Sequence, residues 1–187
     1  MFINPKTAIE EGWVTGITNP EVQVQPNAID FTLDHLFSID DQPFIISEAG
    51  KTMRGGSPME ISVVDSVEYW NLRGGRVYDG MSDIYVDLPE GVAAQLIIRS
   101  TLNRNGLFLT SGLYDSGYKG HLGFAIHNRA NERALIAPGT RVGQVIFVSS
   151  DSAGMYAGGW NHEAGTHYSE DVPIGPGSDN YGEDPLR

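Results

Sequence analysis

Apolar and polar positions alternate along this chain in short bursts. In HLGFAIHN (121–128), Leu122, Phe124 and Ile126 fall on one side of an extended strand. His121, Gly123, Ala125 and His127 fall on the other, because successive side chains in a strand point to opposite faces. The first set reads as core, and a packing or interface role suits the two histidines. Similar bursts predict strands over 28–33, 44–46, 60–64, 75–78, 84–86, 93–98, 108–110, 134–136 and 144–149. Glycine, proline, asparagine and aspartate separate them, and PEGV (89–92) and APGTRVGQ (137–144) read as tight turns feeding strands. A short helix is expected over 4–12: Asn4 can cap it, Pro5 suits its first turn and Gly12 can end it. No βαβ alternation and no internal repeat is visible. Many short strands divided by turns predict a mainly β fold, a sandwich, jelly roll or small barrel.

The pattern lapses near Ser150. The stretch AGGWNHEAGTHYSEDVPIGPGSDNYGEDPLR is rich in glycine and polar residues and has no period. The expected organisation is therefore a β domain over 1–150 and a Gly-rich tail over 151–187. Trp160, Tyr168 and Tyr181 suit a tail that docks as a cover over a site, and a disordered end is the other reading. Within it, HEAGTH (162–167) lacks the i, i+4 histidine spacing of a helical zinc motif, and Gly165 disfavours a helix there.

Composition narrows the chemistry. The 187 residues carry a net charge of -12 and no cysteine. A chain of this length can bury a full core. Without cysteine there is no disulfide framework and no thiolate zinc site, which speaks against zinc-dependent deamination. The acidic balance opposes general nucleic-acid binding. No apolar run reaches the ~18–20 residues of a membrane span, and the N-terminus lacks the pattern of a secretory signal. A cytoplasmic protein is expected.

The charge is uneven. Residues 99–144 hold six of the 12 basic residues but only two of the 24 acidic ones, Asp115 and Glu132. Such a bias suits an anionic ligand, a small phosphate ester before a polymer. In RSTLNR (99–104), Arg99, Ser100 and Arg104 follow an apolar strand and offer phosphate donors; alternatively, Ser-Thr here simply caps the next turn. In GLYDSGYKG (112–120), Gly112 and Gly117 permit sharp turns, so a hairpin here would expose backbone groups able to read a base edge. Asp115 sits at its shoulder with Tyr118 three residues on. An ordinary hairpin with Asp115 in an Asx-turn is the plainer reading of this segment alone.

Together these stretches resemble the superfamily of trimeric dUTP diphosphatases and dCTP deaminases. QPNAIDFTL (25–33, with Asp30), RSTLNR, GLYDSGYKG and PGTRVGQVIF (138–147) stand in the family's motif order, and the tail stands where a closing segment would be. The resemblance implies a distorted β-barrel or jelly roll of the dUTPase-like (β-clip) type, a homotrimer, and a pyrimidine deoxynucleoside triphosphate as ligand. Deaminases of the superfamily carry a catalytic glutamate five residues after the third motif's last glycine. Here that glycine is Gly120 and the fifth residue is Ala125, whose methyl group cannot shuttle protons. No other carboxylate lies between Asp115 and Glu132 in the sequence.

The resemblance therefore implies dUTP hydrolysis first: Asp115 would activate water for attack on the α-phosphorus. Arg99, Ser100, Arg104 and Gln144 would hold phosphates, and Tyr118 would pack under the deoxyribose. The backbone near Gly112 would read uracil. Mg²⁺ would ride on the phosphates, with Asp30 acting on it through water. A dCTP deaminase, alone or bifunctional, and a non-catalytic nucleotide-binding trimer are the alternatives.

Overall fold

The structure, a computed structural model, describes residues 1–47, 50–52 and 54–156. The chain opens with α1 (Pro5–Glu10), β1 (Val14–Thr15), α2 (Pro20–Gln23) and the long β2 (Ile29–Ile39). Short strands follow: β3 (Ile45–Ser47), β4 (Gly50–Thr52), β5 (Gly56–Pro58), β6 (Ser62–Val64) and β7 (Val67–Leu72). The second half holds β8 (Val77–Asp87), β9 (Val92–Ile98), α3 (Ser100–Arg104), β10 (Leu107–Thr110), β11 (Lys119–Asn128), β12 (Ala134–Ile136) and β13 (Arg141–Ser149).

The fold is mainly β, as the alternation predicts. One antiparallel sheet runs β10-β11-β8-β2-β13-β9, with β1 added on β8 and β5 on β2. Its two ends nearly meet. Ala94 of β9 exchanges backbone hydrogen bonds of 2.8 and 3.0 Å with Tyr114, in the loop leaving β10. The sheet thus curls toward a barrel, which removes an exposed edge and fixes the loop that carries Asp115. The core is the inner face of that curl. Leu122 and Ile126 are fully buried and Phe124 nearly so, against Phe31, Leu33, Leu36 and Phe147 from facing strands. His121, Gly123, Ala125 and His127 stay half-buried on the other face, as expected.

The N-terminal helix has its predicted cap: Asn4 Oδ1 accepts a hydrogen bond from the Lys6 N–H at 3.0 Å. Two expected strands, 75–78 and 84–86, are corrected by the structure: they are the ends of one strand, β8. The intervening DGMSD remains extended because Gly80 lies under the Phe124 ring. A Cβ there would stand 2.7 Å from Phe124 Cε2, so glycine fills a packing role that its turn preference hides. Gly143 is tighter still, with an added Cβ falling 2.2 Å from Phe31 Cζ. Among the described residues no helix is long and apolar enough to cross a membrane.

Candidate active site

The β10–β11 connection builds a cleft. Its loop is pinned from several sides. The Gly117 N–H donates to the Leu88 carbonyl at 2.8 Å, Ser116 Oγ to the Val92 carbonyl at 3.0 Å, and the Tyr118 N–H to the Asp115 carbonyl at 3.0 Å. Gly117 has φ +87, a left-handed conformation that other residues adopt at a cost, and Met155 lies against it. The Tyr114 hydroxyl donates to the Gly123 carbonyl, and the Tyr118 hydroxyl to the His121 carbonyl at 2.6 Å. The two rings meet edge-on at 5.0 Å. Burial, and then the neighbouring Tyr156, pushes the Tyr118 phenol up from its ordinary value, so it stays neutral.

These constraints shape a cleft of about 590 Å³ between the loop backbone of residues 110–115, Tyr118, the β11 segment 123–125, Tyr156 and Asp79. Gly112, Asp115 and Tyr118 are thus brought together, as the sequence leads one to expect. Asp115 is exposed at the lip. Burial and the Asp115 charge both raise the Tyr156 phenol, which places the two groups in electrostatic reach. Among the described residues no lysine, arginine or histidine lines the cleft.

Asp79 is the functional candidate that sequence reasoning missed. It lies directly across from Ala125 in the β11–β8 ladder, and Ala125 lies across from Thr110 in β10. Cross-strand partners share a face, so Thr110, Ala125 and Asp79 form one row beside the loop. On the far side the row continues through Phe37, which is buried, to Pro58 of β5. That apolar cover raises the Asp79 carboxyl from its ordinary value to about 6. Along the chain no carboxylate lies near Ala125, whereas one step across the sheet Asp79 does. The legible signal is the strand alternation in VYDGM, which puts Tyr78 and Gly80 inward and Asp79 outward.

The other expected site residues gather elsewhere. Asp30 is fully buried on β2. Gln144, its direct partner on β13, donates Nε2 to Asp30 Oδ1 at 2.7 Å. Arg141 donates Nη1 to Oδ2 at 2.7 Å, and Arg99, at the end of β9, donates to the same oxygen. Two guanidiniums and an amide therefore engage both oxygens of one carboxylate, a strong charge-assisted arrangement. Asp30 was expected to help hold Mg²⁺ through water; in this structure both its oxygens are engaged by the chain's own donors. Likewise Arg99 and Gln144, expected on phosphates, spend donors on Asp30. Among the described residues no cluster of three metal-ligating side chains exists. Ser100 and Arg104 lie exposed on α3, the turn that Ser-Thr begins. None of Arg99, Ser100, Arg104 and Gln144 lines the cleft of Asp115.

Elsewhere, His121 approaches the Ser82 carbonyl at 3.0 Å, and His127 Nε2 lies 3.2 Å from Thr110 Oγ1. Both contacts are with the fold itself. The expected tail cover beyond residue 156, HEAGTH included, lies outside the described residues.

A family model described as dCTP deaminase-like matches residues 6–150. The chain belongs to the dCTP deaminase-like family. Its relatives in that family include a "dCTP deaminase, dUMP-forming" of Bifidobacterium animalis subsp. lactis, 28% identical over 166 residues and matched over 87% of this chain and 84% of the relative. A "probable deoxyuridine 5'-triphosphate nucleotidohydrolase" of Halobacterium salinarum is 30% identical over 144 residues, covering 75% of this chain and 84% of its own. The crystal structure of 2'-deoxycytidine 5'-triphosphate deaminase from Agrobacterium tumefaciens shares the fold, with a TM-score of 0.58 at 17% identity. The match covers 78% of this chain and 47% of that one, so this chain spans about half its length. By this kinship the dCTP deaminase-like chain is an enzyme, one of the nucleotide-processing hydrolases.

Proposed function

We propose that this enzyme hydrolyses dUTP to dUMP and pyrophosphate. The observation that carries the reading is a cleft that gathers the exposed carboxylate of Asp115, the loop around Gly112 and the buried ring of Tyr118. The loop backbone supplies donors and acceptors for a pyrimidine edge. The Tyr118 ring offers a flat surface for the sugar, its hydroxyl already satisfied by His121. Asp115 orients a water and takes its proton as the oxygen attacks the α-phosphorus in line; the bond to the β-phosphate oxygen breaks and pyrophosphate leaves. Magnesium enters with the nucleotide's phosphates, as part of the substrate.

A triphosphate needs cations, and among the described residues the cleft has none. Ser100, Arg104 and the free donors of Arg99 lie apart from it on the same chain. This supports a homotrimer in which one subunit contributes the cleft and a neighbour the phosphate-holding end of β9 and α3. Gln144 contributes to phosphate binding in this reading by holding Arg99 and Asp30 in place.

Pyrophosphate release from dUTP by the purified protein, compared with dCTP and dTTP, tests the reaction, and absence of release from every nucleotide overturns it. The shared site has its own test. Asp115→Asn and Ser100→Ala chains damage different halves of one composite site. Co-refolded, they are expected to recover a clear fraction of activity that neither variant shows alone. Mixed oligomers with no recovery, under conditions where exchange is verified by mass, would place both residues in one subunit's site.

A further inference from the structure

We propose that Asp79 is a specificity-determining residue that reads the group at position 4 of the pyrimidine, accepting a hydrogen bond from a 4-amino group. The inference rests on the reading that a pyrimidine nucleotide enters this cleft. Three observations point to Asp79. It lines the cleft on the row Thr110–Ala125–Asp79, one strand from Ala125, and the small Ala125 side chain leaves the approach over β11 open. Its carboxyl group makes no hydrogen bond or ion pair with any described residue, although it is partly desolvated. A carboxyl left half-buried without a partner costs stability, and a ligand donor arriving there removes that cost. Finally, the cleft brings it no cation among the described residues.

The chemistry of the 4-position follows. A carboxylate only accepts hydrogen bonds, so it gains a bond from the amino group of a cytosine-type base and none from the 4-oxo oxygen of a uracil-type base. A protonated carboxyl also donates, so it tolerates the oxo group. Burial raises Asp79 to about 6, which puts this change of role inside the working pH range. The titratable groups facing it are His127 on β11, His35 on β2 two residues from Phe37, Asp115 and Tyr118 in the loop, and Tyr156. The shift of Asp79 arises from desolvation, with none of these charges contributing. The cleft therefore admits 4-amino as well as 4-oxo pyrimidine nucleotides, in a ratio set by one proton.

The test is equilibrium binding of non-hydrolysable imido analogues of dCTP and dUTP to the full-length protein. In the wild type the preference for the dCTP analogue is expected to fall by about tenfold between about pH 8 and about pH 5.5. Asp79→Ala should weaken the dCTP analogue about tenfold at pH 8, leave the dUTP analogue within about twofold, and lose the pH dependence. Asp79→Asn, which both donates and accepts, should bind the two analogues with a flat ratio. A wild-type ratio that does not move with pH, or an Asp79→Ala variant that weakens both analogues alike, overturns the proposal. Binding of neither analogue by the wild type overturns the nucleotide reading itself, which keeps the two failures apart. Folding has a separate control. The raised carboxyl binds a proton more tightly in the folded state, so Asp79 lowers stability as pH rises through roughly 4 to 6, the full loss applying above that window. Asp79→Asn should therefore melt higher than the wild type at pH 8, and a lower melting temperature there counts against an unpaired Asp79.

Discussion

Asp30→Asn is expected to destabilise the fold by roughly 3–5 kcal/mol, the loss seen when one partner of a buried ion pair is removed. Asp30 is fully buried, and the side chains of Arg99 and Arg141 that point at it are only about 28% and 30% exposed. With an amide in its place, two partly desolvated guanidiniums face each other with no anion between them. One of the amide's two positions also carries donors, which face the Gln144 Nε2 or the arginines. The cost is therefore the desolvation of two cations left unpaired, beyond the value of the bonds lost. In a β domain of this size it should lower the melting temperature by about 10 °C. Urea unfolding followed by tyrosine and tryptophan fluorescence reads it, with an unchanged m-value marking a pure stability loss. If Asp30 instead acted on a metal at the substrate, the substitution would spare stability and change the magnesium dependence of turnover. A melting temperature within a degree or two of wild type would thus restore the metal role expected from the sequence.

This cluster shows what a single sequence conceals. The four motif stretches were legible, since each needs a particular residue at a particular turn. Asp115, Gly112 and Tyr118 share a cleft because they are near in sequence and the loop holds them together. Arg99 and Gln144 also stand out as polar groups at strand ends. Asp30 stood out too, but its pairing with them did not, because they meet only through the pairing of β2 with β13 and of β13 with β9. A donor seen in sequence carries no address, and a buried carboxylate competes for it with any ligand. Asp79 was hidden for the same reason. Its distance from Ala125 is 46 positions along the chain but one step across the sheet. The break read between 78 and 84 compounded this, since a residue placed in a turn has no strand face to share.

The fold class survived those errors because it depends on a coarser quantity. Alternation at Leu122, Phe124 and Ile126 fixes which face of β11 is inward, and a strand slipped by one residue would bury His121 and His127 instead. Closure near Tyr114 was not legible, since the Ala94 bridge joins a strand to a loop with no pattern of its own. That bridge matters for function. It sets the loop carrying Asp115 on a curled sheet whose register is fixed by a buried core, so the carboxylate stands on a supported loop at an open cleft.

Such a carboxylate sets the second large effect. Asp115→Asn is expected to lower the rate of dUTP hydrolysis by about 10²–10⁴, the contribution of a positioned general base. Asparagine keeps the size and one acceptor oxygen, so it still touches a water, but it cannot take the proton that the attacking oxygen releases. The KM for dUTP should change little, because Asp115 acts on the water and the loop backbone and Tyr118 hold the nucleotide. Asp115 is exposed, and its backbone carbonyl, which survives the substitution, makes the loop's internal bond to the Tyr118 N–H, so the fold should be unaffected. Single-turnover hydrolysis separates the chemical step from binding and product release. Hydrolysis in heavy-oxygen water adds a second readout: attack at the α-phosphorus delivers the label to dUMP, and attack at the β-phosphorus delivers it to pyrophosphate. Label in pyrophosphate would mean that the water reacts away from the position assigned to Asp115. An Asp115→Asn chain that turns over at the wild-type rate would move the base elsewhere, and the other carboxylate in the cleft, Asp79, would be the first residue to exchange next.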